Sequence, residues 1–433
     1  MKRGIIYTFL TQLPTLLLFF IGSTLMTRML AEEGRGIHAL FQNQIILLTL
    51  FLGLNIQLGI TYFISKEEYP RRKVLGVGLA LWLINALLLP FLLFGLSSSD
   101  QLRHLFLPDS ATHWGYYAYV YVSVLLSLLT NMFGAVFQGL RKFRILNQMS
   151  ILGSVLSAVG FTTLYLTIEG RTGPENVPLV FSLALGMLFI LVLCWTILYV
   201  LHVKDVPTPV FRGPVWRAIF TFSLVGYLGT IINMVNYRFD VWVVEHFCGT
   251  AQLGLYSVAV GLGQLFFHIP EPFSKVVQPF LYAPDGNALL HKFKAIARIN
   301  FTVVLGGALV FGATAGWIVP LLYGANFGGA VLPLLFLLPG IVFASASKIM
   351  ALLVVQRDMQ RYNLLASAAG AVVTIVLDLL LIPTMGIVGA AVASSLAYLV
   401  TFATVCLVIR FRLGIGIGDI FLLRPSDLSL LKR

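Results

Sequence analysis

Twelve uninterrupted apolar stretches follow one another along the chain, at 5–27, 37–65, 74–96, 116–140, 145–168, 178–201, 218–247, 253–281, 299–322, 331–355, 362–382 and 390–409. Each reaches the roughly 20 residues that a helix rising about 1.5 Å per residue needs to cross a hydrocarbon layer about 30 Å thick. The pattern predicts an all-α polytopic membrane protein with twelve transmembrane helices. Composition agrees, with 58% hydrophobic and 11% charged residues and a mean hydropathy of +0.92, where soluble domains average about a quarter charged. Most of the apolar surface must therefore face lipid or neighbouring helices.

The cations set the predicted orientation, because Lys and Arg in short loops stay on the cytoplasmic side. With the N-terminus inside, 22 of the 29 Lys and Arg residues fall on cytoplasmic segments, including Lys66, Arg71, Arg72, Lys73, Arg141, Lys142 and Arg144. Only Arg28, Arg35, Arg103 and Arg171 fall on the opposite loops. Both termini are thus expected in the cytoplasm and the chain in a bacterial inner membrane. The net charge of +12 is scattered over seven short membrane-edge segments, which suits anionic headgroups and not nucleic acid. The first run follows Lys2 and Arg3 as a secretory signal would, but it is 23 residues long with no small-residue cleavage site after it, so it is expected to stay as a helix.

Residues 202–217 carry Pro207, Pro209 and Pro214 with three basic residues, and read as a connection between halves. The expected organisation is an N-terminal lobe over 1–202, a cytoplasmic linker over 203–217, a C-terminal lobe over 218–410 and a cytoplasmic tail over 411–433. Six runs on each side make any repeat parallel, and weak self-similarity appears at an offset of 217 to 218. Gly36-Ile37-His38-Ala39-Leu40 matches Gly254-Leu255-Tyr256-Ser257-Val258, and Arg144 with Ser150-Ile151-Leu152-Gly153 matches Arg361 with Ser367-Ala368-Ala369-Gly370. Two pseudo-symmetric six-helix lobes around a central cavity would suit alternating access.

Ionisable groups inside a bilayer cost about 2.5–3.5 kcal/mol on insertion scales, so those that persist usually face a cavity or a partner. The seventh run holds Asn233, Asn236, Arg238 and Asp240. Arg238 and Asp240, two apart, point in different directions on a regular helix, whereas Asn233, Asn236 and Asp240 share a face. One face is expected to line the cavity and the other to pack on a sister helix, or Arg238 and Asp240 form interhelical structural pairs. Glu271 stands between Pro270 and Pro272, where a kink is expected; it reads equally as a cation or proton site and as a group satisfying the broken backbone. Lys275, Arg28, Lys348 and Asp378 lie nearer the interfaces and also fit a role at the membrane surface. His38, Gln42 and Thr49 form a polar stripe on the second run that either lines a cavity or packs between helices.

Cys194, Cys248 and Cys406 are far apart and suggest neither disulfide nor metal site, and no metal-binding motif occurs. There is no phosphate-binding loop for ATP. No cofactor and no enzymatic reaction are expected, and energy would come from an ion gradient, the membrane potential or coupling to synthesis.

The stretch from Thr27 through Arg28, Ala31, Glu32, Glu33, Gly34, Arg35 and Gly36 to Leu40 resembles the junction between the first two helices of bacterial polysaccharide-export flippases, the Wzx-type O-antigen members of the multidrug/oligosaccharidyl-lipid/polysaccharide superfamily. Arg238-Phe239-Asp240, Leu253 to Val260, Ile269 to Pro272 and Ile382 to Ala391 are similar as well, so the likeness covers essentially the whole chain. It departs where Ala31 replaces a common Gly and Asp378 a frequent Asn. The resemblance implies two six-helix lobes around a hydrated cationic cavity. It also implies a cargo, an oligosaccharide on undecaprenyl pyrophosphate such as an O-antigen, capsule or exopolysaccharide repeat unit, moved to the outer leaflet. Arg28 and Arg238, with Lys275, Asn233 and Asn236, are the expected pyrophosphate contacts, since Arg forms paired hydrogen bonds with phosphate oxygens. Asp240, Glu271 and Asp378 are the expected couplers to H+ or Na+. Membrane lipids, a polysaccharide polymerase and a chain-length regulator are expected partners.

Alternatives are a multidrug or cation antiporter, or a peptidoglycan-precursor flippase, of the same superfamily. From another class, a membrane polysaccharide polymerase or ligase would carry its chemistry on a large basic outer loop, and the outer loops here are short.

Overall fold

The computed structural model describes residues 2–98, 113–270, 286–357, 359–416, 418–421, 423–424 and 427, and among these residues there is no strand. The helices are α1 Lys2–Gly53, α2 Ile56–Lys66, α3 Arg71–Ser98, α4 Trp114–Gly139, α5 Phe143–Thr167, α6 Val177–His202, α7 Pro214–Gln264, α8 Gly286–Tyr323, α9 Val331–Gln356, α10 Gln360–Leu413 and α11 Gly418–Phe421. Nine segments among the described residues are long and apolar enough to cross a membrane. Phe91, Phe94 and Trp317 are more than 70% exposed on such segments, a placement that costs nothing against acyl chains.

Three of the nine segments carry a residue with non-helical backbone: Ala31 in α1 (φ 53°, ψ −166°), Gly249 in α7 (φ 81°, ψ 171°) and Gly386 in α10 (φ 60°, ψ −143°). All three occupy or border a region of backbone space that is essentially glycine's own. Ala31 and Gly249 stand 218 positions apart, the offset at which the sequence repeats. The break at Ala31 strands the Met29 carbonyl, which instead accepts from Gly173 N at 3.0 Å and from Asn176 Nδ2 at 2.9 Å. Asn176 is buried for this purpose.

The chain divides into two compact units, Thr15–Met234 and Met1–Pro14 with Val235–Arg433. In the first, Met29, Leu30, Phe41, Leu89, Val124 and Phe181 form one apolar cluster, where Tyr119 and Phe181 stack at 4.0 Å between centroids. A second cluster joins Ile60, Val74, Val77, Phe137, Trp195 and Ile219. The connection after α6 lies on α3, with Val210 N donating to Gly76 O at 2.9 Å. Only glycine fits at 76, because a Cβ there would sit 2.1 Å from Thr208 O.

In the second unit, α9 and α10 approach so closely that a Cβ on Gly340 would stand 2.4 Å from Ser395 Cα. Small residues permit such contact, and close van der Waals packing is what drives helix association in lipid. A further cluster of Phe293, Ile349, Met350, Val354, Cys406 and Ile409 lies toward the chain end. Beside it Arg298 and Asp427, each 1% exposed, form a two-pronged pair with Nε–Oδ2 at 2.6 Å. Asp427, in the segment after α10, thus holds a buried guanidinium.

Candidate functional site

In the second unit, polar residues of α7 and α10 meet in one register. Thr374 Oγ1 donates to Asn236 Oδ1 at 3.0 Å, and both residues are buried. One turn further along each helix stand Asp240 and Asp378, so the two carboxyls come to neighbouring positions and act on each other electrostatically. After the break at Gly249, α7 supplies Tyr256, whose Oη donates to Asp240 Oδ2 at 2.5 Å and lies 3.4 Å from Ser394 Oγ. The same spacing of 138 residues separates Asn236 from Thr374, Asp240 from Asp378 and Tyr256 from Ser394. Two packed helix pairs in one register therefore bring all six side chains together.

Burial is nearly complete, with Asp378 0% and Asp240 5% exposed. Asp240 Oδ1 and both carboxylate oxygens of Asp378 have no hydrogen-bond partner among the described residues. An ionised carboxyl left so would cost several kcal/mol, a cost that a proton, a water or a small cation at these oxygens would offset. Carboxylate, phenol and hydroxyl oxygens are hard donors, suited to an alkali ion and not to a soft transition metal. In the earlier half, the repeat offsets place Gly22 and Phe161 opposite Asp240 and Asp378. A Cβ on Gly22 would come within 2.5 Å of Ser157 Oγ, so that position is closed by packing, and the acidic pair belongs to one half alone.

The remaining expected site residues are spread differently. Arg238 is half-buried on α7 and acts electrostatically on Asp240, with no ion pair between them among the described residues. Asn233 is exposed and its amide returns to Gly229 O at 2.9 Å. Arg28 is half-buried one turn before the break at Ala31. Glu271 and Lys275 lie outside the described residues; up to Pro270, the α-helix gives way to a 3-10 turn at Leu265–His268, as a following proline favours. Lys348 Nζ sits 4.0 Å from the centroid of Phe267, a cation–π contact. Tyr256, Thr374 and Ser394 escaped the sequence reading, since a lone hydroxyl in an apolar run is ordinary until its helix partners are known.

A multi-pass α-helical membrane protein with ionisable groups in its interior defines a transporter-like class. The family model of the polysaccharide biosynthesis proteins matches residues 1–281, and the chain belongs to that family. No curated protein matches the sequence. Among solved structures, the chain is similar to the lipid II flippase MurJ in an inward closed conformation, with a TM-score of 0.73 and 14% identity, over 98% of this chain and 91% of that one. It is also similar to an inward-facing multidrug resistance MATE family transporter of the MOP superfamily, with a TM-score of 0.68 and 16% identity over 92% and 94%. A MOP superfamily transporter from Pyrococcus furiosus matches with a TM-score of 0.55 and 15% identity over 100% and 97%. These likenesses establish a shared fold.

Proposed function

We propose that this chain is a flippase that moves an undecaprenyl-pyrophosphate-linked oligosaccharide, the repeat unit of an O-antigen, capsule or exopolysaccharide, to the outer leaflet by alternating access. Membership of a polysaccharide biosynthesis family and a fold similar to that of a lipid II flippase support this reading. Reading each of the three interrupted segments as two crossings turns nine into twelve, and the cation distribution then puts both termini in the cytoplasm. Arg28, Arg238 and Lys275, with Asn233, are assigned to the pyrophosphate. A polysaccharide polymerase and a chain-length regulator would receive the product.

The observation that carries the mechanism is the pair Asp240 and Asp378 with three unpartnered oxygens. We assign to it the coupling ion, H+ or Na+, and group Asn236 with it. Occupancy offsets the cost of the buried charge, so the ion favours whichever arrangement of α7 and α10 holds the carboxyls together, and its loss favours the other. A gradient does work through that difference in affinity. Glu271 is assigned a coupling role on the sequence pattern alone.

The test is purified protein in proteoliposomes with labelled lipid-linked oligosaccharide on one leaflet. Transfer should respond to an imposed pH or sodium gradient, and Arg238→Ala should abolish transfer while leaving insertion intact. Unchanged transfer by that variant would remove Arg238 from the substrate path. A second reading, export of a cationic drug by antiport, draws on the same buried carboxylates and on the MATE-like fold; drug efflux without any lipid-linked sugar transfer would favour it.

A further inference from the structure

The first unit contains a cavity of about 380 Å³ among the second, third and fourth apolar runs. It surrounds a place where the helix of the second run stops and restarts. Leu54 and Asn55 both adopt left-handed backbone, at φ 46° and 53°, although neither is glycine. Leu54 in particular is strained there, since a β-carbon crowds the following carbonyl in left-handed backbone. Counting back from Lys66 at the end of α2, Asn55 lies about 16 Å along the helix, near the middle of a hydrocarbon layer. Irregular backbone at that depth is tolerated where it lines a hydrated cavity or is buried in protein.

The break frees carbonyls, and Leu52 O is taken by Asn85 Nδ2 at 2.9 Å. Around it the wall presents the amides of Gln42, Asn55, Gln57 and Asn131, with Trp82 among them. Trp82 is fixed by its Nε1 donating to Leu125 O at 2.9 Å, which leaves its ring as a wall. Gln57 and Asn131 are exposed in the cavity. No lining residue among the described residues is charged.

Side-chain amides that can both donate and accept, beside a held aromatic ring and without any charge, match a neutral polyol. They do not match a diphosphate, which needs cations, nor an alkyl chain, which would strip water from the exposed amides of Gln57 and Asn131, although Gln42 Nε2 also donates to Tyr119 Oη and Gln57 Nε2 to Asn55 Oδ1, each at 3.4 Å. We infer that this cavity is a sugar subsite, which takes a pyranose ring of the transported oligosaccharide against Trp82 and binds its hydroxyls through Gln57, Asn131 and Gln42. This deepens the flippase reading and rests on it for the identity of the cargo. The volume, equal to about a dozen waters at about 30 Å³ each, has room for one or two rings.

The experiment uses the full chain in nanodiscs and in proteoliposomes, with two probes: the oligosaccharide released from its carrier, and the same oligosaccharide on undecaprenyl pyrophosphate. Replacing both exposed amides, Gln57→Leu with Asn131→Leu, should weaken binding of the released oligosaccharide about tenfold or more, as loss of two hydrogen bonds of about 1 kcal/mol each implies. It should raise the KM for lipid-linked transfer by a similar factor and leave the response to the ion gradient unchanged. Asn131→Gln, which keeps an amide, should restore part of the binding, and separates recognition from misfolding. If the double variant binds and transfers like wild type, the subsite is refuted while the flippase reading stands. If wild type binds the free oligosaccharide through these amides yet transfers no lipid-linked form, the subsite stands and the flippase reading falls. If wild type binds no sugar in either form, the subsite is refuted.

Discussion

Ala31 provides a test of the helix break it occupies, because it adopts the backbone conformation that Gly249 and Gly386 adopt at the other two breaks. A side chain in that region costs about 1–3 kcal/mol. Changing Ala31→Gly removes this strain, but gives the unfolded chain extra freedom worth about 0.4–1 kcal/mol and loses a half-buried methyl worth about 0.4 kcal/mol. The net expectation is stabilisation by about 0.5–1.5 kcal/mol. The converse change Gly249→Ala meets nothing within 4 Å of the new Cβ, and at Gly386 the sole neighbour is Cys248 Sγ at 4.0 Å. Their cost is therefore backbone strain alone, net about 0.5–2 kcal/mol of destabilisation. Thermal unfolding of the purified protein in detergent should move by about 1–2 °C, upward for Ala31→Gly and downward for Gly249→Ala and Gly386→Ala. If Ala31→Gly lowers stability while Gly249→Ala leaves it unchanged, the breaks are not held in the strained conformation and the reasoning fails.

Replacing Asp378→Asn should abolish the response of transfer to an ion gradient while the protein stays folded, since the neutral amide removes the ion's charge partner from a site buried at 0% exposure; gradient-driven transfer at wild-type rate would remove Asp378 from coupling. Asp427→Ala removes the carboxylate that takes two hydrogen bonds from the buried Arg298 guanidinium, at a cost of up to about 3–5 kcal/mol. Limited proteolysis should then cut the chain near residue 424 faster, and Arg298→Met combined with Asp427→Leu should recover protection; equal cleavage in all three forms would deny the pair a structural role. The Arg298 hydrogen bonds hold the Asp427 carboxyl below the usual carboxylate range. Its stabilising contribution is then complete above pH about 4 and is lost as pH falls below that value, so tail protection measured by proteolysis should be flat between pH 5 and 8.

How much of this was legible in the chain divides along physical lines. The bilayer imposes a length and an apolarity on each crossing, so that the chain has many membrane-crossing segments is readable from hydropathy. The helix break at residue 31 is visible in the sequence only as a family motif with an alanine in a glycine's place; its strain needs the backbone conformation. Asp240 and Asp378 stood out singly because charge in an apolar run is costly. Nothing in their local patterns says that they share a site.

The sequence alone determined that the chain crosses a membrane many times and which intramembrane carboxylates have to be explained, because solvation by lipid acts on each segment separately. Tertiary structure decided the rest. The 138-residue register between α7 and α10 gives Asp240 and Asp378 their neighbours Tyr256, Thr374 and Ser394, Asp427 its buried arginine, and the broken helix at Asn55 its ring of amides. These are contacts between residues far apart in the chain, and their energies depend on helix packing that hydropathy, a property of one segment at a time, does not contain.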